Sequence, residues 1–209
     1  MSDMFDLSFR KILAVSASDA PTPGGGSVSA MVGALGVAMA AMVGNLTVGK
    51  PKYADVEGEI KEITGRAYFI ISRLEKLVAA DIAAFGKFMD VYRLPKNTDE
   101  EKLKREEAMQ KALKIATNEP MEIARTLLDA LVITEKLSKI GNKMAISDAG
   151  VAAYVCEAAI NSVLLSADIN IPMVTDQDFV AKVKAEKAEI VAEAKRLKDL
   201  AVSKVNERM

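Results

Sequence analysis

Acid–base chemistry in this chain has to use carboxylates, lysine, tyrosine or its one cysteine, because the 209 residues include no histidine. Histidine is the usual general base and the most common metal ligand in proteins. Among the carboxylates, Asp81 occupies a position where the helical spacing of its neighbours calls for an apolar side chain. A carboxylate in such a seam must be hydrogen-bonded, paired or functionally perturbed. The residues alone therefore leave two interpretations of Asp81, a structural hydrogen-bonding group or a catalytic base.

A second candidate for chemistry is the run Pro-Thr-Pro-Gly-Gly-Gly-Ser at residues 21–27. Gly24, Gly25 and Gly26 permit backbone conformations that side chains forbid, and Ser27 is a favourable N-cap for the apolar segment that follows. Free N–H groups at such a helix start can bind an anionic or planar ligand. A tight turn explains the same residues without a ligand. No Lys-Ser/Thr pair follows the glycines, so a phosphate-binding loop of the Walker type is not indicated.

The elements that must position these residues are helices. Apolar residues recur every three or four positions from Val56 to Val91, which predicts one long helix over residues 55–92 with Asp81 in its seam. The uncharged segment 27–49 predicts a buried central helix. Small residues fall on one stripe of that helix, where another backbone can approach closely: Gly33, Gly36, Ala40 and Gly44.

Capping and turn signals divide the rest of the chain into further helices. A short amphipathic helix is predicted before the glycine loop, over about residues 8–16. Thr98 and Glu101 form a capping box for a helix that Pro120 should interrupt or kink. Asp148 is best explained, from the sequence alone, as a cap at the start of the next helix. Thr175-Asp176 begins the last helix, and no segment has the pattern of a strand.

Composition sets the class of the protein. The chain is 50% hydrophobic, which suits a single all-α domain, residues 1–209, built as a bundle of about five to seven long helices. A net charge of -1 gives no electrostatic reason to expect nucleic acid or an anionic membrane as partner. The uncharged segment is long enough to span a bilayer, but its Gly, Ala and Ser content favours a soluble core helix. One cysteine, Cys156, and no signal-like N-terminus indicate a cytoplasmic protein in which Cys156 is a small buried apolar residue.

Five stretches, in the same order along the chain, resemble the formiminotransferase-cyclodeaminase C-terminal family. They are residues 21–27, 42–50, Asp81 with Phe85, 94–102 and 141–150. Within the family the chain is most similar to stand-alone methenyltetrahydrofolate cyclohydrolases. The resemblance implies an all-helical, homodimeric, cytoplasmic enzyme that hydrolyses 5,10-methenyltetrahydrofolate to 10-formyltetrahydrofolate. It implies no metal and no cofactor beyond the tetrahydrofolate substrate.

The family's functional positions can be carried onto this sequence one by one. Its catalytic aspartate falls on Asp81. Its remaining motif positions, which the resemblance assigns to substrate binding, fall on Gly24, Gly25, Gly26, Ser27, Asn45, Lys50, Asn142 and Asp148. Two positions depart from the family pattern: Pro51 interrupts a basic run after the central helix, and Ser166 stands where Asn is usual, although Asn170 remains.

Two other functions remain open. Cyclodeamination of 5-formiminotetrahydrofolate, with release of ammonia, uses the same pterin and the same carbon. The absence of an attached formiminotransferase domain and the stretch Leu94-Pro-Lys-Asn-Thr98 favour the cyclohydrolase. The second alternative is a non-catalytic folate-binding or helical interaction module, against which the seam position of Asp81 argues.

Overall fold

The computed structural model describes residues 4–209, and this part of the chain is built from α-helices, short 3-10 turns and loops, without a β-strand. Six α-helices are present in the described residues: α1 (Phe9–Ser16), α2 (Gly25–Asn45), α3 (Glu57–Tyr92), α4 (Asp99–Ile140), α5 (Ile146–Asp168) and α6 (Gln177–Arg208). The predicted all-α bundle of five to seven helices is therefore confirmed. Two of the predicted helix starts are confirmed, the Thr98–Glu101 capping box of α4 and the start of α6 at Asp176, which is its N-cap.

The helix α2, predicted to be the buried central helix, is buried on one side only and leaves Val32 and Leu35 exposed on the other. It packs against α3 and α5 along its length and contacts α4, while α6 packs across α4 and α5. The helices α2 and α5 run antiparallel: the Gly25 end of α2 faces Ser166 near the end of α5, and Thr47, just beyond α2, is hydrogen-bonded to Asn142, just before α5. One end of the bundle thus gathers the start of α2 and the end of α5.

The small residues of α2 serve three neighbouring helices rather than one. A Cβ atom added at Gly33 would lie 2.4 Å from Leu127 of α4. At Gly36 it would lie 2.8 Å from a side chain of α5, and at Gly44 2.2 Å from a side chain of α3. The prediction of a single stripe facing one backbone is wrong, because three helices border the buried side of α2 and each inserts a side chain at a different glycine.

Pro120 lies inside α4 without breaking it, since the helix runs continuously from Asp99 to Ile140. The expected interruption is absent. A proline has no N–H, so the carbonyl of Ala116 loses its helical donor. The side chain of Asn170 replaces that donor, with its Nδ2 atom 3.0 Å from the Ala116 carbonyl oxygen.

Two helical segments among the described residues are long and apolar enough to cross a membrane: Gly25–Asn45 and Lys143–Met173. In the bundle, 61% of the first segment's most apolar window and 50% of the second's are buried against other helices. Both segments contribute to one continuous hydrophobic core. A buried core helix of a soluble protein passes the same test of length and hydropathy, so the result does not indicate a membrane protein.

Candidate active site

A cavity of about 310 Å³ opens at the end of the bundle where α2 begins. Four parts of the chain form its wall: the loop before α2 with the first residues of that helix, the C-terminal third of α3, a turn of α4, and the end of α5 with the residues after it. Its lining residues are Pro21, Thr22, Gly24, Gly25, Gly26, Asp81, Ala84, Phe85, Phe88, Ala116, Pro120, Ser166, Ile169, Asn170 and Met173. The glycine loop and Asp81, predicted separately, therefore meet in one site.

Asp81 reaches the cavity from α3 and is held at the N-terminus of α2. The hydroxyl of Ser27 donates a hydrogen bond of 2.6 Å to Asp81 Oδ2, and the backbone N–H of Ser27 also donates to this carboxylate. A Cβ atom at Gly26 would lie 2.8 Å from Asp81 Oδ1. Only glycine at position 26 lets the carboxylate approach the helix start so closely.

Ser27 has a different role from the one predicted. It was expected to be the N-cap of the central helix, but α2 begins at Gly25 with Gly24 at the N-cap. Ser27 therefore lies within the first turn, and its hydroxyl is free to bind Asp81 instead of the helix's own backbone. The glycines allow this, because Gly24 takes the cap position without a side-chain cap.

The ionised form of Asp81 is disfavoured by its surroundings. Burial raises the pKa of Asp81 above its ordinary value, and the two hydrogen bonds from Ser27 oppose that rise without cancelling it. No Lys or Arg forms an ion pair with Asp81 among residues 4–209. A carboxylate with a raised pKa and no cationic partner can accept a proton and return it, as a general base and acid must.

A second carboxylate lies within electrostatic range of Asp81. The pKa of Glu119 is raised by burial and then by the negative charges of Asp81 and Glu122, while Lys87 lowers it. Glu119 precedes Pro120, which lines the cavity, and it is half-buried. Sequence reasoning missed Glu119, because no motif or periodic position in its segment distinguishes it.

The aromatic wall of the cavity follows from the position of Asp81 on its helix. Phe85 and Phe88 come four and seven residues after Asp81, so all three lie on one face of α3 and line the cavity. Phe88 belongs to the same apolar seam as Asp81 and is partly buried against the core. Its direct contact with a cavity was not predicted, because periodicity does not distinguish a packed face from a pocket wall.

Ser27 is fully buried and does not line this cavity, although it is hydrogen-bonded to Asp81. The other four predicted binding residues, Asn45, Lys50, Asn142 and Asp148, lie away from the cavity. They gather around the far end of α2, whose 21 residues make it about 30 Å long. Their roles in binding stay predictions. Within one chain, none of them lines the cavity that contains Asp81.

Two of these residues have structural bonds at that end. Asn142 binds the carbonyl of Leu46 through Nδ2 at 2.7 Å, and its backbone N–H donates to the hydroxyl of Thr47 at 2.8 Å. Asn45 donates from Nδ2 to the hydroxyl of Tyr68 at 2.8 Å. The bonds of Asn142 tie the chain between α4 and α5 to the end of α2.

The other two residues, Lys50 and Asp148, have no comparable side-chain hydrogen bonds among residues 4–209. Lys50 is exposed and belongs to none of the ion pairs found among residues 4–209. Asp148 is not the cap that the sequence favoured, because α5 begins two residues earlier at Ile146, with Ala145 at the N-cap position. As a carboxylate in the first turn, Asp148 still interacts favourably with the helix dipole.

Cys156 is buried, as predicted, and burial raises the pKa of its thiol to about 12. Such a thiol is not a nucleophile at neutral pH. Within residues 4–209, His, Cys, Asp and Glu side chains form no group of three or more that could hold a metal ion.

Comparison of the sequence with known protein families identifies the family to which the chain belongs. The sequence profile described as formiminotransferase-cyclodeaminase matches residues 8–189 of this chain. The chain belongs to this family. The resemblance that the motifs carried is therefore confirmed over most of the chain.

Members of the formiminotransferase-cyclodeaminase family with different names resemble the chain. A methenyltetrahydrofolate cyclohydrolase of Methylorubrum extorquens is 39% identical over 194 residues, which are 91% of this chain and 93% of that protein. A formimidoyltransferase-cyclodeaminase of Rattus norvegicus is 32% identical over 192 residues, which are 92% of this chain and 36% of the rat protein. The crystal structure of a formiminotetrahydrofolate cyclodeaminase from Thermotoga maritima matches with a TM-score of 0.88 and 31% identity, covering 97% of this chain and 98% of that one.

Proposed function

We propose that the protein is a methenyltetrahydrofolate cyclohydrolase, which converts 5,10-methenyltetrahydrofolate and water into 10-formyltetrahydrofolate and a proton. The observation that carries the proposal is Asp81, a carboxylate of raised pKa that has no ion-pair partner among residues 4–209 and faces a cavity with an aromatic wall. The similarity to a protein of that name over 91% of the chain supports the assignment. A cavity of 310 Å³ is at the low end of the roughly 300–1,000 Å³ range for small-molecule sites, and suits the pterin rings rather than a whole folate.

The first step is attack of water on the cationic carbon between N5 and N10. Asp81, ionised, removes a proton from the attacking water, so that a neutral tetrahedral carbinolamine forms on that carbon. The negative charge of Asp81 also attracts the cationic substrate, by roughly 4 kcal/mol at 4 Å and an effective dielectric of 20, before desolvation is subtracted. The substrate is already electrophilic, and we infer that no cofactor beyond the tetrahydrofolate itself is needed.

The second step opens the ring. Protonated Asp81 returns its proton to N5 while the bond between N5 and the carbon breaks, and the carbinol oxygen loses its proton as the formyl C=O forms on N10. The reaction releases one proton overall, which matches the loss of the substrate's positive charge. Ser27 keeps the carboxylate in one orientation through both transfers.

Cyclodeamination is the second candidate, favoured by the similarity to the Thermotoga maritima cyclodeaminase. In that reaction the amino group of the formimino substrate leaves as ammonia and N10 closes onto the same carbon. Asp81 would then protonate the leaving nitrogen. Ammonia release from 5-formiminotetrahydrofolate, measured beside methenyl hydrolysis, distinguishes the two activities.

The decisive variant is Asp81→Asn. We expect kcat for methenyl hydrolysis, followed by loss of the substrate's absorbance, to fall by about 10²- to 10⁴-fold, because positioned proton transfer contributes about that much. Asp90→Asn is the matched control, since Asp90 is an exposed residue of the same helix outside the cavity.

Full activity in folded Asp81→Asn protein would show that another group is the base. An inactive wild type, with both the methenyl and the formimino substrates, would leave a non-catalytic folate-binding module as the function.

We also propose that the protein is a soluble, cytoplasmic homodimer that binds neither nucleic acid nor membrane. The support for a dimer is the outer side of α2, a helix without a charged residue. Val32 and Leu35 are 42% and 57% exposed there, and Leu46, directly after the helix, is 44% exposed. Tyr68 of α3, 55% exposed, lies beside this surface and bonds to Asn45. Apolar surface of this kind usually marks a protein interface.

A dimer of this type offers a role for the residues at the far end of α2. In a two-fold dimer whose axis crosses the middle of α2 at right angles, the two α2 helices run antiparallel. The far end of one helix then approaches the cavity of the partner. We propose that Lys50 reaches the anionic glutamate tail of a folate bound in that neighbouring cavity.

A further inference from the structure

Two polar side chains line the cavity that contains Asp81: Ser166 near the end of α5, and Asn170 just beyond it. Asn170 and Ser166 are one helical turn apart, so their side chains lie on one face. Neither belonged to the predicted set of binding residues. The amide of Asn170 is the better defined of the two, because its hydrogen bonds within the protein fix its orientation.

Both protons of the Asn170 amide nitrogen are used inside the protein. Nδ2 donates to the carbonyl of Ala116 and to the carbonyl of Ser166, each at 3.0 Å. The first of these carbonyls needs a donor because Pro120 removed its helical one. A flipped amide would place Oδ1 against two carbonyl oxygens, so the observed orientation is the stable one.

Because Nδ2 is held by these two bonds, Oδ1 of Asn170 is a hydrogen-bond acceptor of fixed orientation. Oδ1 of Asn170 accepts no hydrogen bond from any residue in the range 4–209, and the residue lines the cavity. The hydroxyl of Ser166 also has no hydrogen-bond partner in that range, and it lies 3.9 Å from where a Cβ of Gly25 would be, across the mouth of the glycine loop. An oriented carbonyl oxygen and a rotatable hydroxyl thus remain available for a ligand.

We propose that Asn170 and Ser166 select the pterin ring by its hydrogen-bonding edge, an inference that rests on the proposed function. The pyrimidine ring of the pterin carries two donors far from the reacting carbon, N3–H and the 2-amino group, and the O4 acceptor, which lies nearer to N5. Oδ1 of Asn170 accepts from a donor of that edge, and the Ser166 hydroxyl donates to O4. Pro120 acts as a positioning residue, because its missing N–H is what holds the Asn170 amide in place.

The test measures ligand binding, independently of turnover. Calorimetry compares tetrahydrofolate with its 2-desamino and 3-methyl analogues, which remove the two donors in turn. We expect wild-type protein to bind at least one analogue about 10- to 100-fold more weakly than tetrahydrofolate, since an unpaired buried acceptor costs about that factor. Asn170→Ala should bind tetrahydrofolate more weakly by a similar factor and lose the discrimination.

A control variant, Asn161→Ala, and a second background, Pro120→Ala, separate an effect on ligand binding from an effect on folding. Asn161→Ala changes the same residue type on α5 at an exposed position outside the cavity, and should behave as wild type. Asn170→Ala also leaves the Ala116 carbonyl without its donor, which can destabilise α4. In a Pro120→Ala background the backbone N–H of residue 120 satisfies that carbonyl, so that adding Asn170→Ala no longer removes its donor. Pro120→Ala alone should already reduce the discrimination, because it releases the Asn170 amide, and adding Asn170→Ala should abolish what remains.

Turnover supplies an independent readout. Asn170 contacts a part of the substrate remote from the reacting carbon, so Asn170→Ala should raise KM about 10-fold or more while kcat changes less than about threefold. Unchanged discrimination in Asn170→Ala, or equal wild-type affinity for all three ligands, overturns this inference and leaves the proposed function standing. Failure of the wild type to bind tetrahydrofolate or turn over the methenyl substrate overturns the proposed function and this inference together.

Discussion

At the scale of single residues, the site depends on Gly26, Ser27 and Asp81, which lie in direct contact with one another. Gly26 lacks the Cβ that would meet the Asp81 carboxylate, Ser27 binds that carboxylate from the first turn of α2, and burial then keeps its pKa high. In the sequence, Asp81 is conspicuous because a carboxylate stands where the helical spacing calls for an apolar side chain. The hydrogen bond that stabilises it comes from a residue 54 positions earlier.

The pKa of Asp81 gives a prediction for the pH dependence of turnover. A general base works when ionised, so kcat/KM should fall as the pH drops through the raised pKa of Asp81. The Ser27 hydroxyl lowers that pKa, and its removal in Ser27→Ala should move the acid limb of the pH profile to higher pH. Ser29→Ala is the control, because its hydroxyl donates to the Gly25 carbonyl and does not contact Asp81.

An acid limb that stays in place in Ser27→Ala, with the control also unchanged, would mean that the limb reports another group. Glu119 is then the first residue to test, since its pKa is also raised.

At the scale of the helices, the glycine-rich helix α2 depends for its stability on packing against its neighbours. Its glycines cost about 1 kcal/mol each in helix propensity relative to alanine. The helix tolerates them because α3, α4 and α5 each fill one of the glycine positions with a side chain. In α4, the loss of a backbone hydrogen bond at Pro120 is offset by Asn170 from another part of the chain.

The packing at these glycines predicts opposite effects for two alanine substitutions. Gly33→Ala places a Cβ 2.4 Å from buried Leu127, and overpacking of this kind costs about 1–3 kcal/mol, more than the gain in propensity. Gly65→Ala, in the interior of α3, meets no atom within 4 Å and should stabilise the protein by about 0.5–1 kcal/mol. Urea unfolding of both variants measures the difference, and a Gly33→Ala protein as stable as Gly65→Ala would contradict the tight packing of α2.

At the scale of the whole molecule, the predicted binding residues fall into two groups separated by about the length of α2. The first group meets in the cavity, and the second lies around the other end of the helix. The exposed apolar side of α2 runs between the two groups. A dimer across that side would connect them, which is why oligomeric state and activity should be measured on the same variants.

Leu35→Glu tests this arrangement. It places a charge in the middle of the exposed side of α2, and we expect sedimentation to show a dimer for wild type and a monomer for the variant. Leu35 does not line the cavity, so loss of methenyl hydrolysis in the monomer would show that the partner contributes to the site. Leu103→Glu is the control, because Leu103 is 62% exposed in the charged first part of α4 and should leave both properties unchanged. A dimeric Leu35→Glu would contradict the proposed surface, and an active monomer would contradict a shared site.

The sequence by itself determined the helical class, most helix boundaries and the unusual character of Asp81. Those features depend on local signals: the 3.6-residue period, the capping box at Thr98, the Asp176 cap and the polarity of one seam position. The motifs also carried the family, which comparison with known proteins confirmed.

Only the tertiary structure decided which of these residues meet. Ser27 with Asp81, and Asn170 with the carbonyl that Pro120 leaves free, are each paired across 54 positions of sequence. The motif residues Asn45 and Asn142, although as prominent in sequence as the glycine loop, lie at the other end of a helix about 30 Å long. Local patterns specify where a helix begins and which face it buries, whereas the meeting of distant side chains depends on the direction in which packed helices run.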